Sequence, residues 1–426
     1  MTQSPRGLVE HFFRHESANL VSVLTRVFGF AHLQLVEDTV QSALLEALEH
    51  WKINGAPENP AAWVHRVARN KALDALRRKK TETRIFEDLS ELSTSTGQAA
   101  AAGFDALFAP AGITDSLLRM MFACSHPAID RQSQLALMLK LLCGFSDKEI
   151  ASALLISAEG ARKRVYRAKK QIAESSIPFE IPDETEIGTR IGAVNEVLYL
   201  MFNEGYSSSS GEEAIREDLC EEAARLCHLL CTSDRFDNKN PELAASSRAL
   251  LALMLYHAAR FGSRTDETGN PVLLQDQQRS LWDRKMIVHA DYWLMKSEGE
   301  TLTTYHLEAG IAQVHCRAGS FEQTDWQKIV SLYDRLIEIN PTPIYALNRA
   351  VAVAHSGDPV SAISALEQIA GDPRLKNYFL LDCAFAESYL QKDEKEKARA
   401  HWEKALKAAS SEHEKNFIAG RLKQLG

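Results

Sequence analysis

The chain of 426 residues contains no apolar run approaching the roughly 20 residues that a membrane-spanning helix needs. Gly-x-Gly occurs nowhere among its 21 glycines, so a glycine-rich phosphate-cradling loop is not expected. Apolar and polar residues almost never alternate at period two, which argues against sheets. The opening stretch MTQSPRGLVEHFFRHES has no cationic start, apolar middle and small-residue cleavage site of a secretory signal, so a cytoplasmic protein is expected. The seven cysteines (Cys124, Cys143, Cys220, Cys227, Cys231, Cys316 and Cys383) are odd in number and widely spaced, so they read as reduced core residues. Cys227, His228 and Cys231 have helical spacing that could ligate a metal. No second ligand pair lies at zinc-finger distance, so buried thiols are expected and neither metal nor cofactor is assigned. His126, His228, His257, His289, His306 and His315 are scattered, with no nucleophile or carboxylate at a diagnostic spacing, and no enzyme is expected.

The length predicts about two to three domains, and 45% apolar with 25% charged residues is ordinary for a globular chain. The net charge of −8 is unevenly divided. Residues 1–176 hold 22 Lys+Arg against 19 Asp+Glu, whereas residues 177–426 hold 27 against 38. A mildly basic front joined to an acidic back predicts two separate tasks.

Helical periodicity dominates, and an all-α fold is expected. Residues 8–28 form a first amphipathic helix. Residues 36–51 align Val40, Ala43, Leu44, Ala47, Leu48 and Trp51 on one stripe. After a turn, Asn59 and Pro60 suit the cap and first position of a helix that carries AAWVHRVARNKALDALRRKK. Its core face is Val64, Val67, Ala68, Ala72, Ala75 and Leu76, opposite Arg66, Arg69, Asn70, Asp74, Arg77 and Lys80. A solvated bundle face would give a similar charge run. Trp63 at the helix start adds an aromatic beside the cations, a pairing that suits base stacking while phosphates are neutralised.

Residues 87–113, including STSTGQAAAAG, read as a flexible linker. Two apolar helices split near Pro127 follow. In FSDKEIASALLISAEGARKRVYRAKKQI, Ser146 and Glu149 make a capping box that opens a helix to about Leu154. Ser157 then caps a second helix to about Ala173, which carries Arg162, Lys163, Arg164, Arg167, Lys169 and Lys170 with no acid between residues 160 and 173. Two helices joined by a short turn, the second basic, match a helix-turn-helix, whose second helix enters a major groove. The turn has Leu154-Leu155 where glycine is common.

Residues 203–213 (NEGYSSSSGEE) read as a loop, and 214–231, 241–262, 276–296 and 304–319 as helices. Near the end the chain repeats itself at an offset of 36, which pairs Ala350 with Ala386, Ala362 with Ala398, Leu366 with Trp402 and Glu367 with Glu403. Helix-pair repeats of this length are tetratricopeptide-like and stack into a concave surface for a protein or peptide partner.

Taken together, these motifs closely resemble bacterial sigma factors of the extracytoplasmic-function (ECF) type in the sigma-70 family. They are similar above all to the ECF42-like subgroup with a tetratricopeptide-like C-terminal extension. ENPAAWVHRVARNKALDALRR, MMFACSHPAID, NEGYSS, LWDR, TDW and ALNRAVAV carry the resemblance, along with the Leu-Leu turn. It implies sigma region 2 over residues 1–86, the linker 87–113, region 4 over 114–177 and the extension over 178–426. It further implies that Glu37, Asp38 and Gln41 dock on the β′ clamp helices of core RNA polymerase, with the β flap as a second contact. Trp63, Arg66, Arg69, Asn70, Asp74, Arg77, Arg78, Lys79 and Lys80 would hold the opened −10 strand of promoter DNA. Ser157, Ala158, Glu159, Gly160, Arg162, Lys163, Arg164, Arg167 and Lys170 would meet the −35 element. A stand-alone helix-turn-helix regulator with a sensing repeat domain is the alternative, and a repeat adaptor binding RNA or acidic proteins is a third reading.

Overall fold

A computed structural model describes residues 5–79, 106–207, 215–233, 241–266, 272–409 and 412–425; at 5–11, 76–79, 241–243 and 412–413 only the backbone is described. The described residues contain helices and turns and no strand, as the periodicity predicts. They form two compact units.

The first unit contains α1 (Pro5–Phe28), α2 (Leu33–Asn54), α3 (Pro60–Lys79), α4 (Pro110–Cys124), α5 (Arg131–Leu141), α6 (Asp147–Ala153), α7 (Ala158–Glu174), α8 (Glu184–Tyr206) and α9 (Glu217–Thr232). α5 is its buried axis. Leu135, Ala136, Leu137, Met138 and Leu139 are consecutive and all buried, because the helix is apolar around most of its circumference. α7 and α8 pack on it, while α1 packs on α2 and α4. A short 3-10 turn, Phe30–His32, joins α1 to α2.

Several sequence expectations are corrected here. α4 begins at Pro110, inside the stretch read as linker; residues 87–105 lie outside the described residues. The loop read from 203 begins later, because α8 continues to Tyr206, and residues 208–214 lie outside the described residues. α8 itself was not anticipated, although Asp183 caps it by accepting from the Glu186 amide. α8 and α9 follow residue 178, where the extension was expected to start, yet they pack in the first unit. Buried Arg190 of α8 donates to the Phe122 carbonyl at 3.3 Å and to Glu186 at 2.5 Å. Buried Glu222 of α9 meets His15 of α1 at 3.0 Å and accepts both Arg225 N–H groups at 2.7 Å.

The second unit contains α10 (Pro241–Ala258), α11 (Arg284–Lys296), α12 (Thr304–Arg317), α13 (Trp326–Ile339), α14 (Pro343–His355), α15 (Pro359–Ile369), α16 (Phe379–Gln391), α17 (Lys395–Ala408) and α18 (Glu412–Gln424). The helix expected over 276–296 starts only at Arg284, capped by Asp283. The residues before it are tied back instead: the Trp282 indole donates to Ser263 Oγ at 2.8 Å, and the Asp283 amide donates to the Ala259 carbonyl at 2.8 Å.

The internal repeat is exact in register. Shifting α14 (Pro343–His355) by the 36 residues read from the sequence gives the bounds of α16 (Phe379–Gln391), and Pro359 of α15 maps to Lys395 of α17. The intervening turns match as well, since Gly357 (φ 98°) and Asp393 (φ 56°) are equivalent and both left-handed. Matched positions share burial: Ala350 and Ala386, Ala362 and Ala398, and Leu366 and Trp402 are all buried. Small residues at the first two pairs bring the helices close, and a large side chain at the third fills the space behind them.

Glu222 predicts a pH dependence for the first unit. Burial pushes its carboxyl upward, but hydrogen bonds and charge from Arg225 and His15 outweigh this and hold it down to about 2, below the usual 4.5. A carboxyl depressed on folding stabilises above its unfolded value, and that contribution is lost as pH falls toward the folded one. In urea melts, Glu222→Gln should therefore be the less stable protein at pH 7, by about 1–3 kcal/mol, with the gap closing between pH 4.5 and 2.

Candidate nucleic-acid interface

α3 owes its form to its two faces. Asn59 caps it by accepting the Ala62 amide at 3.0 Å, and Val64, Ala68 and Ala72 are fully buried. The small alanines let the helix lie close on α1 and α2. The outer side carries a stripe at steps of three and four: Trp63, Arg66, Asn70 and Asp74. Arg66, Asn70 and Asp74 are exposed, and Arg69 is half-buried. Arg77, Arg78 and Lys79 continue the helix, but their side chains lie outside the described residues, as does Lys80 altogether.

Trp63 is half-buried and closes an aromatic cluster. Its ring lies 5.1 Å from His50 and 5.7 Å from Trp51, which in turn meets Phe12 at 5.8 Å and Phe13 at 5.7 Å. The cluster fixes the start of the cationic stripe against α1 and α2. Sequence reading paired Trp63 with the cations but missed its neighbours, because Phe12 and Phe13 are distant in the chain.

α2 presents a different surface. Asp38 and Gln41 are exposed on a groove shared with Leu45, Glu46 and Glu49, across which Lys71 of α3 reaches Glu46 at 2.8 Å. Leu45, Leu48 and Ile53 are apolar and exposed on the same helix. Glu37 is separated from its two companions: it is buried, and its carboxylate is 2.6 Å from Lys169 Nζ on α7.

The second cationic helix sits in a two-helix frame. The Ser146 amide donates to Glu149 at 2.7 Å while the Glu149 amide donates to Ser146 Oγ at 3.3 Å, so the expected capping box is present. Leu155 takes the left-handed φ of 52° that the turn requires and is 93% exposed. A non-glycine residue there stores about 1–2 kcal/mol of strain. Ser157 Oγ accepts the Gly160 amide at 3.0 Å and starts α7. Ala161, Val165, Ala168 and Ile172 are buried, whereas Ser157, Glu159, Arg162, Lys163, Arg167 and Lys170 are exposed. Ala158, Gly160 and Arg164 are half-buried. Arg162 lies 3.6 Å from Asp147 and Lys163 lies 2.7 Å from Glu159, both solvent-facing pairs worth little in stability. Tyr166, unnoticed in the sequence, is an exposed aromatic on this cationic face.

The two cationic helices belong to one compact body, joined by polar contacts between partners far apart in the chain. Arg14 of α1 reaches the Cys143 carbonyl at 3.1 Å and Glu149 at 3.5 Å, and its guanidinium lies 5.8 Å from the Phe145 ring centre. All seven cysteines are buried, and desolvation raises the thiols of Cys124, Cys143 and Cys227 far above the usual range. Cys227 and Cys231 face the core while His228 faces outward, so these three do not converge. No cluster of metal-ligating side chains occurs among the described residues.

With this geometry in view, residues 12–82, which span α1 to α3, match Sigma-70 region 2. This Sigma-70 region 2 domain supports a sigma-factor role in transcription initiation. The chain belongs to one family with an uncharacterized protein of Rhizobium meliloti (strain 1021), to which it is 37% identical over 414 residues, covering 95% of each chain. Residues 190–298, from α8 to the end of α11, match a family of unknown function, DUF6596. No solved structure matches. No helix among the described residues is long and apolar enough to cross a membrane.

Gly144 tests the joint between the cationic helices. It has φ 61°, and an added Cβ would come within 2.7 Å of Arg14 Cγ. Gly144→Ala should lower stability by about 1–3 kcal/mol in denaturant melts. The loss should shrink when Arg14→Ala is combined with it, because part of the cost is the clash.

Proposed function

We propose that this protein is an ECF-type initiation factor of the ECF42-like subgroup, which binds core RNA polymerase and brings it to specific promoters. The observation that carries this reading is the Sigma-70 region 2 match over residues 12–82, which contains α3 and its exposed Arg66, Asn70 and Asp74, together with the exposed cationic face of α7. α2 docks through Asp38 and Gln41 on the β′ clamp helices, with Glu37 joining once Lys169 leaves it. The α3 stripe from Trp63 to Asp74, continued by Arg77, Arg78, Lys79 and Lys80, holds the opened −10 strand. Strand opening loses stacking of about 1.4 kcal/mol per step, offset by phosphate neutralisation and by bases held against protein. The helix-turn-helix of α6 and α7 reads the −35 element, with the N-terminal residues Ser157, Ala158, Glu159 and Gly160 near base edges. Arg162, Lys163, Arg164, Arg167 and Lys170 meet base edges and phosphates. The β flap receives this second DNA-binding element. The tetratricopeptide-like repeats of the extension regulate the factor through a protein or peptide partner.

Lys169 stands on the −35 helix and Glu37 on the polymerase-docking helix, so their ion pair opposes both contacts. Promoter engagement requires its release, because the −10 and −35 elements lie apart on the duplex.

The experiment is run-off transcription with purified core polymerase on genomic fragments. The full chain should co-purify with core and support initiation. Arg162→Ala combined with Arg167→Ala should lower promoter affinity of the holoenzyme about tenfold or more at low salt while leaving core binding intact. A duplex shift by the protein alone, with no association with core, would instead identify a stand-alone regulator.

A further inference from the structure

The second unit holds a partly open cavity of about 370 Å³ lined by residues of α13, α14 and α16, with Trp402 of α17 and Phe417 of α18. This size lies within the range of small-molecule sites. Its walls come from the internal repeat: Leu347, Asn348, Val351, Ala352 and His355 of α14 occupy the same positions, 36 residues earlier, as Cys383, Ala384, Glu387, Ser388 and Gln391 of α16. The two copies are not chemically equal. Val351 and Ala352 are replaced by Glu387 and Ser388, and Asn348 by Ala384, so the lining carboxylate stands on the second copy alone.

The aromatic side is organised around Trp326. His355 stacks on it at 4.6 Å, and Phe321 meets both rings edge-on at 5.0 Å. Tyr333 and Trp402 add further ring surface to the lining. Nδ1 of His315, a buried ring nitrogen of a lining residue, has no hydrogen-bond partner among the described residues and can accept from an ammonium when Nε2 carries the proton. A buried polar atom left unpaired costs about 1–3 kcal/mol, which a bound molecule with matching groups would recover. The lining contains no lysine or arginine and one carboxylate, Glu387, which is ion-paired to Arg421 from outside the wall.

We propose that this cavity binds a small organic cation, an amine carried on an aromatic or bulky apolar body, with its ring among Phe321, Trp326 and Tyr333 and its ammonium on Glu387. Ring faces attract cations, and the attraction strengthens away from water. The histidines do not compete as cations. Desolvation lowers His355 and, with the charges of Arg260, Arg279 and His355 adding to it, pushes His315 down to about 3, so both are neutral at physiological pH. Among the lining residues an anionic ligand would meet Glu387 and no lysine or arginine, since Arg421, Arg260 and Arg279 reach Glu387 and His315 from outside the lining. The site gives the second unit a ligand input in addition to the partner surface of the proposed function, and it is independent of that reading.

Calorimetric titration of the full chain with tryptamine, tryptophol and indole-3-propionate separates shape from charge, since the three share one ring system. Tryptamine should bind about tenfold or more tightly than tryptophol, and indole-3-propionate should not bind. Glu387→Gln should abolish the preference for the amine, and Arg421→Gln, which frees Glu387, should enlarge it. Melting curves check that both variants fold, and either variant alone decides the direction. Equal binding of all three compounds, no binding of any, or an amine preference indifferent to both substitutions would overturn the proposal.

Discussion

Lys169 and Glu37, 2.6 Å apart and largely removed from solvent, hold the cationic helix α7 against α2. A buried carboxylate is tolerable only while a cation faces it, and stripping one partner from such a pair costs about 3–5 kcal/mol. Glu149 obeys the same rule on the other side of the frame. It accepts the Ser146 amide that opens α6 and faces Arg14 of α1. The compact first unit is thus fastened by charges that need replacement partners before they part.

What permits so cationic a surface in a packed unit is the economy of its inner faces. α7 buries Ala161, Val165, Ala168 and Ile172, one residue per turn, and α3 buries Val64, Ala68 and Ala72. Alanine at the contact lets each helix axis approach its neighbour, so a narrow apolar stripe suffices and most of the circumference stays free for charge. Repulsion along α7 is relieved locally by Glu159 and Glu174, at its two ends, rather than by acids within the basic run. The outer cations Arg162, Lys163, Arg167 and Lys170 of α7 therefore remain exposed.

Much of this was legible from spacing alone. Periodicity gave an all-helical chain, Ser146, Glu149 and Ser157 announced their caps, and the stripe of α3 follows from steps of three and four. The offset of 36 residues read from the sequence reappears in the structure, where α14 shifted by it has the bounds of α16. What escaped were contacts between distant parts of the chain. Nothing local marks Glu37 as buried, because the neighbour that buries it, Lys169, lies 132 positions away. α8 was overlooked although Asp183 and Glu186 signal its start, and its membership of the first unit rests on Arg190 meeting the Phe122 carbonyl, a tertiary fact. The Trp63 cluster needed Phe12, Phe13 and Trp51 to converge, which only folding brings about.

The repeat illustrates how a structural module acquires chemistry. Two copies with the same helix bounds share the positions that pack, Ala350 with Ala386 and Ala362 with Ala398, because those positions set how closely helices approach. At two positions of the lining the copies differ in polarity: Val351 is matched by Glu387, and buried Ala352 by Ser388, whose hydroxyl is satisfied by the Ala384 carbonyl at 2.8 Å. The shared alanines keep the helices close while the side chains around the cavity differ between the copies, so one scaffold presents two chemically unequal inner surfaces.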